Sequence, residues 1–213
     1  MPDVIVRQIM KSKINIIRKK RILLTWGFVA VLAVLILFSN NRWEHIGVWS
    51  TIFFLMGAVL VGCATIGRLW CSLYISGHKD KSLIKTGPYS VCRNPLYFFS
   101  FLGAAGVGLA TEMLTIPAII IAAFVPYYAF VIKEEQKKLA KTYGEEFDDY
   151  CKTTPAFFPS FKLLNEPEEY NVKAKAFRKS LFDALWFIWL VGILELIESF
   201  HELGLIPVFI KLY

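Results

Sequence analysis

Five apolar stretches, residues 22–38, 48–70, 97–110, 114–132 and 181–197, constrain this 213-residue chain more than anything else in it. A helix rising about 1.5 Å per residue needs about 20 mostly apolar residues to cross the roughly 30 Å hydrocarbon core of a bilayer. In lipid every backbone N–H and C=O must find its partner inside the protein, which such a helix does unaided. The expected fold class is therefore all-α, a polytopic integral membrane bundle of about five transmembrane helices. Composition agrees: 56% of the residues are hydrophobic and only 19% charged, against roughly a quarter charged in soluble domains. Only Thr111, Glu112 and Met113 separate the third and fourth stretches, which predicts a helical hairpin. Gly57, Gly62 and Gly67 in the second would permit close helix approach. The terminal "LGLIPVFI" is too short to cross.

The net charge of +7 would point to nucleic acid in a soluble protein. Here the basic residues cluster beside apolar segments, where they meet anionic lipid and set orientation, so membrane lipids are the expected partner and nucleic acid is not. Arg7, Lys11, Lys13, Arg18, Lys19, Lys20 and Arg21 precede the first span, and the loop "SNNRWEH" after it is nearly neutral. With no small-x-small cleavage site, the first stretch reads as a retained helix and the N-terminus as cytosolic. Lys79, Lys81, Lys85 and Arg93 after the second span, and Lys133, Lys137, Lys138 and Lys141 after the fourth, fit the same orientation. The protein is thus expected to be multi-pass, with its long polar segments in the cytosol. Cys63, Cys71, Cys92 and Cys151 form no CxxC pair, so neither a zinc site nor a disulfide framework is expected.

The two polar segments, residues 76–94 and 133–176, flank the hairpin, which should bring them together. In "TGPYSVCRNPLY", Gly87 and Pro88 favour a turn, and Pro95 suits the first turn of a helix with Asn94 as its N-cap. That helix end offers free backbone donors, and Arg93 beside it adds a guanidinium suited to carboxylate or phosphate. Tyr97 lies within the first turn. The bland alternative is a snorkelling arginine with an interfacial tyrosine. Glu135, Leu139, Tyr143 and Phe147 recur every four residues, predicting an amphipathic helix along the cytosolic membrane surface, loosened at Gly144. Glu134 and Glu135 fall at the depth of Arg93 and Tyr97 and would suit an amine or ribose hydroxyls; the bland alternative is a solvated face with pairs such as Glu134 to Lys138. Glu195, Glu198 and His201 share a helix at the other membrane face and read as interfacial or helix-helix contacts. "GAAGVG" lies inside a span, so small-residue packing is preferred to a dinucleotide fingerprint.

These motifs carry a resemblance. "GPYSVCRNPLY" and the later "EEQKKLAKTYGEEFDDYCKTTPAFFP" resemble two ordered signatures of the isoprenylcysteine carboxyl methyltransferase family of integral membrane enzymes, and "RLWCSLYISG" is similar to the Arg-x-Trp segment preceding them. The similarity covers residues 67–159. It implies a helical fold that binds S-adenosylmethionine without a Rossmann sheet. Carried onto this chain, Tyr89, Arg93, Asn94, Pro95, Tyr97, Glu134, Glu135 and Tyr150 would bind the cofactor, with Arg93 and Glu135 the candidate catalytic groups and no metal. Asn94 stands where the family often has His, which puts a general base there in doubt. The implied acceptor is lipophilic or prenylated. Apolar Phe130, Val131 and Ile132 replace the basic residues found before the glutamates in eukaryotic members, which leaves the acceptor open between a lipid-borne carboxylate, amine, phenol or thiol. The chain divides into a basic leader with two spans (residues 1–66), a methyltransferase core (67–160) and a linker with the fifth span (161–213). Rivals are an NADPH-dependent reductase of the steroid 5-alpha type, for which the second block lacks arginines, and a non-enzymatic scaffold.

Overall fold

The computed structural model describes residues 23, 25–42, 47–76 and 82–213. The leader's basic residues and Lys79 and Lys81, used above for orientation, lie outside them. Each apolar stretch is helical: α1 (Thr25–Leu37), α2 (Gly47–Ile75), α4 (Pro95–Leu109), α5 (Thr115–Tyr143) and α7 (Ala174–Glu202). Two short helices, α3 (Pro88–Val91) and α6 (Glu145–Thr153), and a 3-10 turn at Phe161–Leu163 belong to the polar segments. Helices α2, α5 and α7 each have 29 residues, about 43 Å at 1.5 Å per residue, and are long and apolar enough to span. Helices α1 and α4 are shorter. The chain is an all-α integral membrane bundle.

Helix α2 packs most closely against α4, and glycine sets that approach. A Cβ on Gly57 would lie 2.6 Å from both Gly106 O and Ala110 N, and one on Gly106 would lie 2.8 Å from Gly57 O. Gly67 faces the ring of Phe99, Gly103 that of Phe187, and Gly108 abuts Pro117 of α5. The "GAAGVG" stretch is thus helix-packing surface. Gly62, expected to act like Gly57, has nothing within 4 Å, because it projects to the side of α2 away from α4.

The expected surface helix after the fourth span does not form as a separate element. Helix α5 runs unbroken from Thr115 to Tyr143, past Pro126, and ends only at Gly144, whose φ of +53° lies in the left-handed region. Lys, Glu, Gln, Leu and Ala after Ile132 are good helix formers, so nothing stops the spanning helix at the membrane boundary. Its last turns, from Lys133 on, are polar where the rest of the helix is apolar, and α6 then turns Phe147 and Tyr150 inward, both buried.

At the opposite end the terminal "LGLIPVFI" leads into a strand that begins at its last residue. Ile210–Leu212 (β2) pairs in parallel with Ser39–Asn41 (β1). Thr115 donates from its N and Oγ1 to Tyr213 O at 2.7 and 2.8 Å. Nearby His201 Nε2 donates to Leu37 O at 2.8 Å, a helix-helix contact of the kind expected for it.

Candidate active site

The site grows from the break between α3 and α4. Gly87 has φ +59° and lies against the Tyr74 ring, where any side chain would collide. That permits the turn into Pro88, and four helical residues later Cys92 is extended. Arg93 and Asn94 therefore sit between two helices, immediately before Pro95 opens α4. Asn94 holds the N-cap position, but its side chain does not cap. Its Nδ2 donates instead to Ala156 O at 2.7 Å, because a strap formed by residues 155–165 lies across the break.

That strap is bonded largely through backbone. Arg93 N donates to Pro155 O at 2.9 Å, Ser160 N to Val91 O at 2.9 Å and Gly87 N to Asn165 O at 2.8 Å. Asn165 N donates to Ser90 Oγ at 2.9 Å and the Cys92 thiol to Phe157 O at 2.9 Å. Burial pushes the Cys92 thiol up to about 11, against the opposing pull of the Asn94 N–H and Arg93, so it stays a protonated donor at neutral pH. Farther along, Glu166 Oε1 accepts from Trp70 Nε1 at 2.8 Å and Tyr74 Oη at 3.2 Å.

The hairpin does join the two polar segments. Tyr97, in the first turn of α4, donates from Oη to Glu135 Oε2 of α5 at 2.7 Å. The Tyr97 ring lies edge-on to Tyr128 at 5.2 Å, and Tyr128 stacks on Phe124 at 3.8 Å. Tyr150 Oη donates to Tyr89 O at 2.5 Å, so its hydroxyl fixes the backbone of α3. Glu134 lies apart, exposed and paired with Lys137 Nζ at 2.8 Å; the described partner of its carboxylate is thus Lys137 at i,i+3 and neither Tyr97 nor Arg93. Pro95 is fully buried as the first residue of α4.

Among the described residues, two buried polar atoms here find no partner. Arg93 Nη1 contacts Cys151 Sγ, but Arg93 Nε has no hydrogen bond, and neither has Tyr89 Oη. Buried unpaired donors are costly, about 1–3 kcal/mol each, and are rare without a ligand or water to meet them. Burial holds the Tyr89 phenol well above its usual value, with Cys71, Tyr150, Glu135 and Tyr170 adding in the same direction. It is therefore a neutral donor. Two orphaned donors beside a helix N-terminus suit a ligand carboxylate or other oxyanion, and Glu135 across the hairpin suits an amine or hydroxyls. S-adenosylmethionine offers all of these groups, so the residues fit it.

Sequence reasoning passed over Arg68 as a charge. Its Nη1 donates to Ser100 Oγ of α4 and its guanidinium lies 5.5 Å from the Phe187 ring of α7. An arginine inside an otherwise apolar run was the available signal. The strap had none, since backbone pairing leaves no side-chain pattern.

Against known families, residues 43–146 match the model for phospholipid methyltransferases. The chain is 37% identical over 199 residues to the cobalt-zinc-cadmium resistance protein CzcN of Cupriavidus metallidurans, covering 93% of this chain and 91% of that one. It is 38% identical over 184 residues to the nickel-cobalt-cadmium resistance protein NccN of Alcaligenes xylosoxydans xylosoxydans, covering 86% and 85% respectively. No solved structure matches it significantly. The family match contains residues Tyr89 to Glu135 of the site but stops before Tyr150, the strap and α7.

Proposed function

The chain belongs to the phospholipid methyltransferase family of membrane methyltransferases, and from that premise we propose that it uses S-adenosylmethionine to methylate a lipophilic acceptor at the cytosolic membrane boundary. The observation that carries this is the pair of buried, partnerless donors, Arg93 Nε and Tyr89 Oη, at the break before α4. Arg93 and the α4 N-terminus would hold the cofactor carboxylate, and Glu135 its amine or ribose hydroxyls. Tyr97 orients Glu135, while Tyr150 and Asn94 hold the surrounding backbone. The bound cofactor supplies a methyl group already made electrophilic by its sulfonium, so the protein's task is alignment and exclusion of water. The acceptor is an isoprenylcysteine-type carboxylate or another lipid-borne nucleophile.

The resistance named for the relatives fits an enzyme that alters a membrane component under metal stress. Among the described residues no group of three or more His, Cys, Asp or Glu could hold a metal ion.

Calorimetry on the purified protein tests the proposal. S-adenosylhomocysteine should bind, NADPH should not, and Arg93→Glu should abolish binding while leaving membrane insertion intact. Normal binding by Arg93→Glu overturns the site, and binding of NADPH alone moves the chain to the reductases.

A further inference from the structure

The strap belongs to a segment that reads as polar in the sequence, yet it leans on an apolar helix. The Phe157 ring lies edge-on to Phe98 at 5.7 Å and to Phe101 at 6.1 Å, both on α4, and Phe158 lies 6.5 Å from Phe98. Phe98 and Phe101 stand three and six residues past Pro95, about 4.5 and 9 Å along the axis. Helix α4 carries no charged residue from Pro95 to Leu109. The strap thus reaches past the α3–α4 break and alongside the apolar turns of the hairpin. Its backbone is provided for as irregular chain in an apolar setting must be. Three successive carbonyls accept from protein donors: Pro155 O from Arg93 N at 2.9 Å, Ala156 O from Asn94 Nδ2 at 2.7 Å and Phe157 O from the Cys92 thiol at 2.9 Å. Pro155 and Pro159 bring no N–H that needs a partner, and Ser160 N donates to Val91 O at 2.9 Å. In a loop bathed by water, such carbonyls are met by solvent and call for no side-chain donors. Here Asn94 gives up capping α4 to supply one.

The strap's remaining apolar side chains are largely uncovered. Phe158 is 73% exposed and Phe161 63%, and Leu163 and Leu164 are exposed too, four large apolar groups in the seven residues from 158 to 164. Among them stands the exposed Lys162. A patch of that kind marks contact with a membrane or with another protein, and two observations favour the membrane. The row is continuous, through Phe158 on Phe98, with a helix of the membrane bundle. Its single charge is basic, the sign that anionic headgroups attract, and aromatic and leucine side chains beside a lysine are the composition of an interfacial anchor.

We propose that residues 157–164 of the strap are a membrane anchor, inserted into the leaflet at the N-terminal end of α4 with Phe158 and Phe161 among the lipid chains and Lys162 at the headgroups. The bilayer then presses on the strap from outside while Arg93, Asn94 and Cys92 hold it from within, so lipid helps to keep the strap against the α3–α4 break. The assignment rests on the membrane bundle and not on the methyltransferase reading.

The test uses the full chain in phosphatidylcholine nanodiscs, with the photo-crosslinker p-benzoylphenylalanine in place of Phe158, whose exposed ring it extends. Mass spectrometry of the irradiated protein reads the yield of covalent phospholipid adducts. The same replacement at Trp189, exposed near the middle of α7, and at Asp148, exposed on the polar helix α6, gives the lipid and water references. The yield at Phe158 should come within about threefold of that at Trp189, as for a group immersed among acyl chains. A yield closer to that at Asp148 overturns the proposal. Covalent dimers in place of lipid adducts overturn it as well, and would make the row a contact between copies of the chain. If the variant at Phe158 does not insert, Phe161 takes its place under the same criteria. Binding of S-adenosylhomocysteine, measured on the unmodified chain, bears on the cofactor site alone, and its absence would leave the anchor standing.

Discussion

Glu134 and Glu135 are chemically identical neighbours, yet the fold gives them different work. Successive residues on a helix point about 100° apart, so only one can face α4. Glu135 does, accepting from Tyr97, and Glu134 turns to solvent and Lys137. An exposed ion pair of that kind contributes little. Glu135→Gln should therefore weaken S-adenosylhomocysteine binding about tenfold, the scale of one charge-assisted hydrogen bond, while Glu134→Gln changes it less than about twofold by calorimetry. Equal losses would mean that the two carboxylates act together. Sequence placed both at the right depth, because depth follows from counting along a span. It could not choose between them, because that choice depends on the rotation of α5 about its axis, which packing against α4 sets. Asn94 shows the same limit: its position before Pro95 marks an N-cap, but Ala156, 62 residues away, takes its side chain.

At the scale of elements, close approach of α2 and α4 positions Ser100 beside Arg68 and the α3–α4 break beneath the end of α2. Gly57 and Gly106 are the contact points, each meeting backbone atoms of the other helix under 3.0 Å from an added Cβ. Backbone cannot yield as a flexible side chain does, so Gly57→Ala should cost about 1–3 kcal/mol by overpacking. Gly62→Ala has open space and should stabilise by about 0.5–1 kcal/mol through helix propensity. Unfolding in denaturing detergent, followed by circular dichroism, compares the two, and a similar response from both would contradict the packing. The five apolar stretches and the hairpin were legible because lipid demands continuous helices of set length. The unbroken run of α5 past Ile132 to Tyr143 was not, since a four-residue period describes equally a separate surface helix and the continuation of the helix before it. Only Gly144 decides where it ends.

At the scale of the whole molecule, the two ends of the bundle differ in charge as well as in structure. One end carries the strap, the candidate active site and Lys85, Lys133, Lys137 and Lys141; the other carries the β1–β2 pair with Arg42 and Lys211. Basic residues near span ends stay in the cytosol during insertion, so the richer end should face inward, where the cofactor is made. The opposite end is tied by Arg42, whose guanidinium lies 4.6 Å from the Tyr213 ring, and by the packing of Phe38 on Phe209 at 5.5 Å. These contacts join the chain's first and last described segments without touching the site, consistent with a clamp that holds α1 and α7 in place. Orientation can be read directly by adding one thiol at a time. All four native cysteines are free, but Cys71 and Cys92 are buried, and Cys63 lies within the membrane-spanning part of α2. Only Cys151 adds a polar-side background, and wild type measures it. With a membrane-impermeant maleimide, Lys211→Cys should label in intact cells, and Lys137→Cys only after permeabilisation. Lys137 and Lys211 are both exposed, so failure to label would not reflect burial. The reverse pattern would invert the bundle and put the Arg93 end outside the cell, where S-adenosylmethionine would have to be supplied from the medium.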